Sequence, residues 1–254
     1  MIPAKDNIPT ERFPFVTLGL VLTNVVAYIL AVRSGGSFFG GPDLHVVMKF
    51  GAIPYALSHG LAEHCGLVRG HELVCSQHAL PGTLPAWQTA FTAMFMHASF
   101  IHIAGNMLFL WIFGNTVEDS MGHLKFLAFY IAGGLAALAL QVALAPNSTA
   151  PTIGASGAIA AVLGGYILLF PRARVLTLVI IPFFVTVIEI PALVMLVVWF
   201  IGQAVFAAVD LTNPTGSGGG VAYFAHIGGF VFGLLTIKLL VRRRKELPPP
   251  VRAY

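Results

Sequence analysis

A serine and a histidine able to exchange a proton stand in two glycine-rich strings, Gly154-Ala155-Ser156-Gly157 and Ala225-His226-Ile227-Gly228-Gly229, with Gly233 just beyond the second. A serine hydroxyl is a weak nucleophile until a neighbouring base takes its proton. Imidazole is the side chain best matched to that exchange near neutral pH. A second histidine, His102, is followed four residues later by Asn106. On a helix that spacing puts both on one face. Both can donate hydrogen bonds to the oxyanion of an acyl-transfer reaction. Each feature also has a plainer explanation. Small residues pack membrane helices, a lone histidine can bond a carbonyl, and a His–Asn pair can glue helices at about 0.6 kcal/mol per contact.

What separates these readings is the elements that carry the residues. The chain has 254 residues, of which 57% are hydrophobic and 9% charged, and its mean hydropathy is +0.85. Soluble domains are near a quarter charged, so this chain is built for lipid. Spans are expected at Phe15–Val32, Phe100–Val117, Leu124–Leu144, Ile153–Phe170, Ile190–Val209 and Val221–Val241. The expected fold is thus an all-α, six-helix membrane domain over residues 15–241. A short polar segment (1–14) precedes it and a basic, proline-containing tail (242–254) follows. The first apolar run reads as a span rather than the core of a cleavable signal. Residues 33–99 form a long outward loop whose apolar patches, Val46–Tyr55 and Ala90–Phe95, are too short to cross and read as interfacial or re-entrant pieces. Val175–Ile188 is expected to lie along the membrane, which leaves Glu189 at the water boundary and spares the ~2.5–3.5 kcal/mol of a charge at mid-bilayer.

Charge sets the orientation. With six spans both termini share a side, and that side collects 11 of the 14 Lys and Arg; only Arg33, Lys49 and Arg69 fall on the other. Basic loops stay cytoplasmic, so the termini face the cytoplasm. The net charge of +4 follows from this arrangement and does not point to nucleic acid. Spans two, four and six then all begin at the outer face. Ser156, His226, His102 and Asn106 come to one depth, about a helical turn below it. Ala160 and Gly164 lie beneath Ser156, with Gly229 and Gly233 beneath His226. These small faces let spans four and six approach backbone to backbone. The four polar residues, costly in a membrane, therefore read jointly as a Ser–His dyad with an oxyanion site. No Asp or Glu lies at that level to orient the imidazole, so packing must hold it.

At this point the sequence resembles the rhomboid intramembrane serine proteases, of the compact six-span prokaryotic type. The likeness is carried by His97-Ala98-Ser99-Phe100-Ile101-His102 through Asn106, by Gly114 and Glu118, by Gly154-Ala155-Ser156-Gly157, by Ala225-His226-Ile227-Gly228-Gly229 with Gly233, and by Pro191-Ala192, Trp199 and Gln203. The resemblance implies a serine endopeptidase with a water-filled cavity open to the outside. In it Ser156 is the nucleophile and His226 the base. His102, Asn106 and the backbone at Ala155–Ser156 line the oxyanion hole, while His97 holds the first loop and hydrates the cavity. It implies transmembrane helices of other proteins as substrates, a plasma or inner-membrane location, and no cofactor. Glu118 resembles part of a structural cluster. Two departures stand out: Ser120 replaces an arginine of that cluster, and Ala160 replaces an aromatic beside the base.

The remaining features are secondary. Gly216, Gly218, Gly219 and Gly220 make the loop Asp210–Gly220 pliable enough to be a lid over the site, and lateral substrate entry is expected between spans two and five. Cys65 and Cys75 suit a local disulfide if the first loop meets an oxidising compartment. His64, His71 and His78 fit no metal spacing. A transporter would place its polar residues at mid-membrane and on the cytoplasmic half. An inactive client-binding relative would lack the serine or the histidine.

Overall fold

The computed structural model describes residues 2–60, 63–68, 72–78, 80, 82–181, 184–212 and 222–241. The glycines Gly216, Gly218, Gly219 and Gly220 and the basic tail lie outside them. In chain order the elements are β1 (Ile2–Asp6), α1 (Phe15–Ser34), β2 (Gly36–Ser37), β3 (Gly41–Pro42), α2 (Leu44–Phe50), α3 (Pro54–His59), β4 (His64–Val68), β5 (Glu72–Ser76), α4 (Ala86–Thr92), α5 (Phe100–Phe109), α6 (Asn115–Met121), α7 (His123–Leu144), α8 (Ser156–Leu169), β6 (Arg174–Ile181), β7 (Phe184–Pro191), α9 (Ala192–Thr212) and α10 (Tyr223–Leu240). A π-helical turn, Leu110–Gly114, joins α5 to α6 into one rod. Among the described residues, five helices are long and apolar enough to cross a membrane: Phe15–Ser34, Phe100–Met121, His123–Leu144, Ala192–Val209 and Tyr223–Leu240. The chain is a multi-pass helical membrane protein.

The sixth helix, α8, has 14 residues, about 21 Å at 1.5 Å per residue. That is well short of the ~30 Å hydrocarbon core. Gly157 to Ile167 are buried without interruption, the mark of a helix enclosed by others rather than by lipid. Ser156 is the first residue of α8, not a turn inside it as the sequence suggested.

Val175–Ile188, expected to lie along the membrane as an interfacial piece, falls within an antiparallel hairpin of β6 and β7 that runs on to Pro191, where span five was expected to have begun at Ile190. The β-branched run Val185-Thr186-Val187-Ile188 favours extended backbone. The N-terminal segment supplies a third strand, giving the order β1-β6-β7. Asp6 ends β1 and is 6% exposed. Its carboxylate accepts hydrogen bonds from Thr116 Oγ1 (2.8 Å) and Tyr166 Oη (2.9 Å). Burial raises its pKa, and these two bonds only partly offset the effect. A carboxyl raised in the folded state contributes stability that is full in acid and lost as pH rises through the folded value. Wild type is therefore expected to gain thermal stability on Asp6→Asn as pH is lowered from neutral. Parallel pH profiles of unfolding would rule this out.

The same end of the bundle is tied by Glu118, which is 1% exposed. Its carboxylate accepts from the Val16 and Thr17 amides (3.0 and 2.8 Å) and from Thr17 Oγ1 (2.7 Å), and it meets His123 Nδ1 at 2.5 Å. It thus caps the N-terminus of α1, where free amides and the helix dipole favour an anion. Ser120 Oγ donates to the Thr116 carbonyl at 2.9 Å, and the partners of Glu118 come from α1 and α7.

At the opposite end the long first loop is a folded cap. Its patches become short helices: Asp43 caps α2 through the Val46 amide, Pro54 opens α3, and Ala86–Thr92 is α4. Cys65 and Cys75 face each other in the register of β4 and β5 and are joined as a disulfide.

Candidate active site

The dyad is assembled by three local devices. First, Gly154 takes φ +121°, a value glycine tolerates and other residues rarely adopt. It turns the chain into α8, and its amide bonds the Ala93 carbonyl of the first loop at 2.9 Å. Thr152 is paired with Ala52 on the same side, so the serine turn is pinned to the cap. Second, α8 and α10 meet backbone to backbone. A Cβ built at Gly229 would lie 2.0 Å from the Gly157 carbonyl oxygen, one at Gly233 2.0 Å from that of Ala161, and one at Gly164 2.1 Å from that of Phe230. Only glycine permits such approach. Third, the N-terminus of α10 is held by α7, where Gln141 Oε1 accepts from the Ala225 amide at 3.2 Å.

His226 Nε2 then lies 2.7 Å from Ser156 Oγ. The other ring nitrogen, Nδ1, lies 2.6 Å from Gln203 Oε1 on α9. A carbonyl-type oxygen only accepts. Nδ1 therefore carries the proton and Nε2 presents its lone pair to the hydroxyl. That is the tautomer a general base requires. Trp199, one turn before Gln203, sets its ring 5.8 Å from the imidazole.

His102 has the complementary tautomer. Its Nδ1 accepts the Ala98 amide at 3.3 Å, so its proton is on Nε2. That nitrogen points toward the serine turn: a Cβ at Gly154 would sit 2.9 Å from His102 Nε2 and 3.5 Å from Ser156 Oγ. Ser99 starts α5 by capping it through the His102 amide. Asn106 is buried, and its side-chain amide nitrogen has no hydrogen-bond partner. It is a free donor one turn below His102. His97 is fully buried with its ring 5.0 Å from that of His102. Ala155 is fully buried as the residue before α8. Beside Ser156 a small cavity is lined by Met94, Gly134, Ile153, Gly157 and Ala158.

Ser156, His226, His102, Asn106, His97 and Ala155 are thus gathered at one end of the bundle. Two contributors went unassigned from sequence: Gln141 had no role, and Gln203 entered only as a point of family likeness. Both are amides inside apolar helices, so the cost of burying a polar group marked them as it marked the histidines. With Ala160 on α8, the side chains that approach His226 from α9 are Trp199 and Gln203.

A half-buried serine and a half-buried histidine in hydrogen-bond contact thus lie at one end of a helical membrane bundle. The Rhomboid domain family matches residues 85–243, and the chain belongs to the rhomboid family. It is similar to Rhomboid-like protein 11, chloroplastic, of Arabidopsis thaliana (35% identical, covering 39% of this chain and 34% of that one). It is also similar to Presenilin-associated rhomboid-like protein A, mitochondrial, of Danio rerio (33%; 60% and 38%) and to Rhomboid protein 1, mitochondrial, of Saccharomyces cerevisiae (33%; 56% and 38%). The chain matches little more than a third of the length of these relatives.

Proposed function

We propose that this protein is an intramembrane serine endopeptidase that cleaves transmembrane segments of other proteins near the non-cytoplasmic face. The observation that carries the reading is the 2.7 Å contact from His226 Nε2 to Ser156 Oγ, in the tautomer that accepts the hydroxyl proton. As Oγ attacks a peptide carbonyl, the proton passes to Nε2. The oxyanion is met by the Ser156 amide at the start of α8 and by the donors of His102 and Asn106. The imidazolium returns its proton to the leaving amine. Water, activated by the same base, then releases the acyl chain.

A substrate helix buries its carbonyls in its own hydrogen bonds, so its end must unwind to reach Ser156. Entry between α5 and α9 fits the peripheral place of α9, whose Val194, Val198, Ile201 and Val205 are exposed and which packs chiefly on α10. A disulfide engineered between α5 and α9 is expected to block cleavage of a membrane substrate while leaving fluorophosphonate labelling of Ser156 intact. Unchanged cleavage would rule the route out. The charge asymmetry supports cytoplasmic termini, and the Cys65–Cys75 disulfide, on the dyad side, fits an oxidising compartment there. We assign the protein to the plasma or inner membrane, with the lipid bilayer and helical substrates as its partners.

The test is cleavage of a helical reporter by the purified full chain, compared with Ser156→Ala and His226→Ala. If both variants still cleave, the dyad assignment is wrong.

A further inference from the structure

The dyad has no carboxylate, yet the imidazole is oriented. We infer that Gln203 is the positioning residue of His226: its side-chain oxygen takes the place of the third triad member by fixing the proton on Nδ1. The inference rests on the Ser156–His226 reading and adds a residue to that site.

The bond is the most direct observation. Gln203 Oε1 lies 2.6 Å from His226 Nδ1, on the ring edge opposite the one that faces Ser156. The amide is itself held in place. On α9, Trp199 and Gln203 are one turn apart and share a face. Trp199 sits 5.8 Å from the imidazole and 6.2 Å from Phe230, while Phe200 stacks on Phe230 at 4.5 Å. Phe230 lies one turn below His226 on α10. The same face of α10 that carries the base is therefore clasped by Trp199, Phe200 and Gln203.

The chemistry follows from what the oxygen can do. A neutral histidine has two tautomers, and only the one protonated at Nδ1 can take the serine proton at Nε2. An acceptor at Nδ1 selects that tautomer. It also bonds the N–H more strongly once the ring becomes cationic during acylation. Both effects act on turnover rather than on substrate binding.

The experiment uses the full chain in proteoliposomes with the helical reporter. Gln203→Met keeps the length and removes the acceptor. We expect kcat to fall about 10- to 100-fold with KM within about 2-fold of wild type and an unchanged Tm. Gln203→Glu restores an acceptor and is expected to recover most of the rate. A merely structural role would make the two variants alike. The assignment is overturned if Gln203→Met turns over like wild type, if Glu and Met lose equally, or if the loss lies in KM alone. His226→Ala in the same assay keeps the two claims apart. Cleavage by that variant sinks the dyad itself, whereas an inactive His226→Ala beside a normal Gln203→Met sinks only the role of Gln203.

Discussion

Ser156→Ala and His226→Ala are each expected to lower turnover of the helical reporter by about 10⁴-fold or more, and the double variant by no more than either alone. The reason is geometric. The hydroxyl and Nε2 share one proton at 2.7 Å, so removing either group removes the same step. What remains is the oxyanion site of His102, Asn106 and the Ser156 amide, which still stabilises negative charge but has nothing to deliver. Two independent contributors would multiply their losses; a unit does not. Initial rates of the wild type, both single variants and the double variant close the cycle. Losses that multiply would mean that the two side chains act separately and that the contact between them is structural.

How much of this was legible in the sequence depends on which physical rule each part obeys. The helices follow from apolar length, which lipid enforces strictly, so Phe15, Leu124 and Val221 fall close to the observed starts of α1, α7 and α10. The meeting of spans four and six was legible because only small residues permit it. Gly229 and Gly233 do face carbonyls of α8. The hairpin of β6 and β7 was hidden, because an apolar run with β-branched residues suits an interfacial helix or a strand equally well until a partner strand is known. That partner, β1, comes from residues more than 160 positions away. The short helices of the first loop were hidden for the same reason. They are held by distant bonds such as the Tyr55 amide to the Ser148 carbonyl, which no local pattern announces. Gln203 carries no charge, the usual mark of a group that orients a catalytic imidazole. In an apolar setting an amide oxygen serves the same geometric purpose without the cost of burying a charge.

Gly229→Leu tests the seam that brings the dyad together, and its expected effect reaches both stability and chemistry. Three glycines lie along the α8–α10 contact, each with a carbonyl of the facing helix about 2 Å from where its Cβ would be. No rotamer relieves a clash between a Cβ and a backbone oxygen, so the helices must separate. Overpacking of this kind costs about 1–3 kcal/mol or more, and the displacement is delivered one turn below His226. A shift of about 1 Å at a reacting pair lowers the rate by roughly 10²-fold. Gly229→Leu is therefore expected to lose at least that much reporter cleavage, to label poorly with a fluorophosphonate at Ser156, and to unfold at lower temperature. Gly229→Ala should lie between the two, since it adds the clashing atom but no bulk beyond it. The control is Gly19 on α1, where an added Cβ meets nothing within 4 Å. Gly19→Ala is expected to leave cleavage unchanged and to stabilise the helix by about 0.5–1 kcal/mol. If Gly229→Leu cleaved as fast as Gly19→Ala, the close approach of α8 and α10 could not be what sets the Ser156–His226 distance. The dyad would then have to be held from α9 and α7 alone, through Gln203 and Gln141.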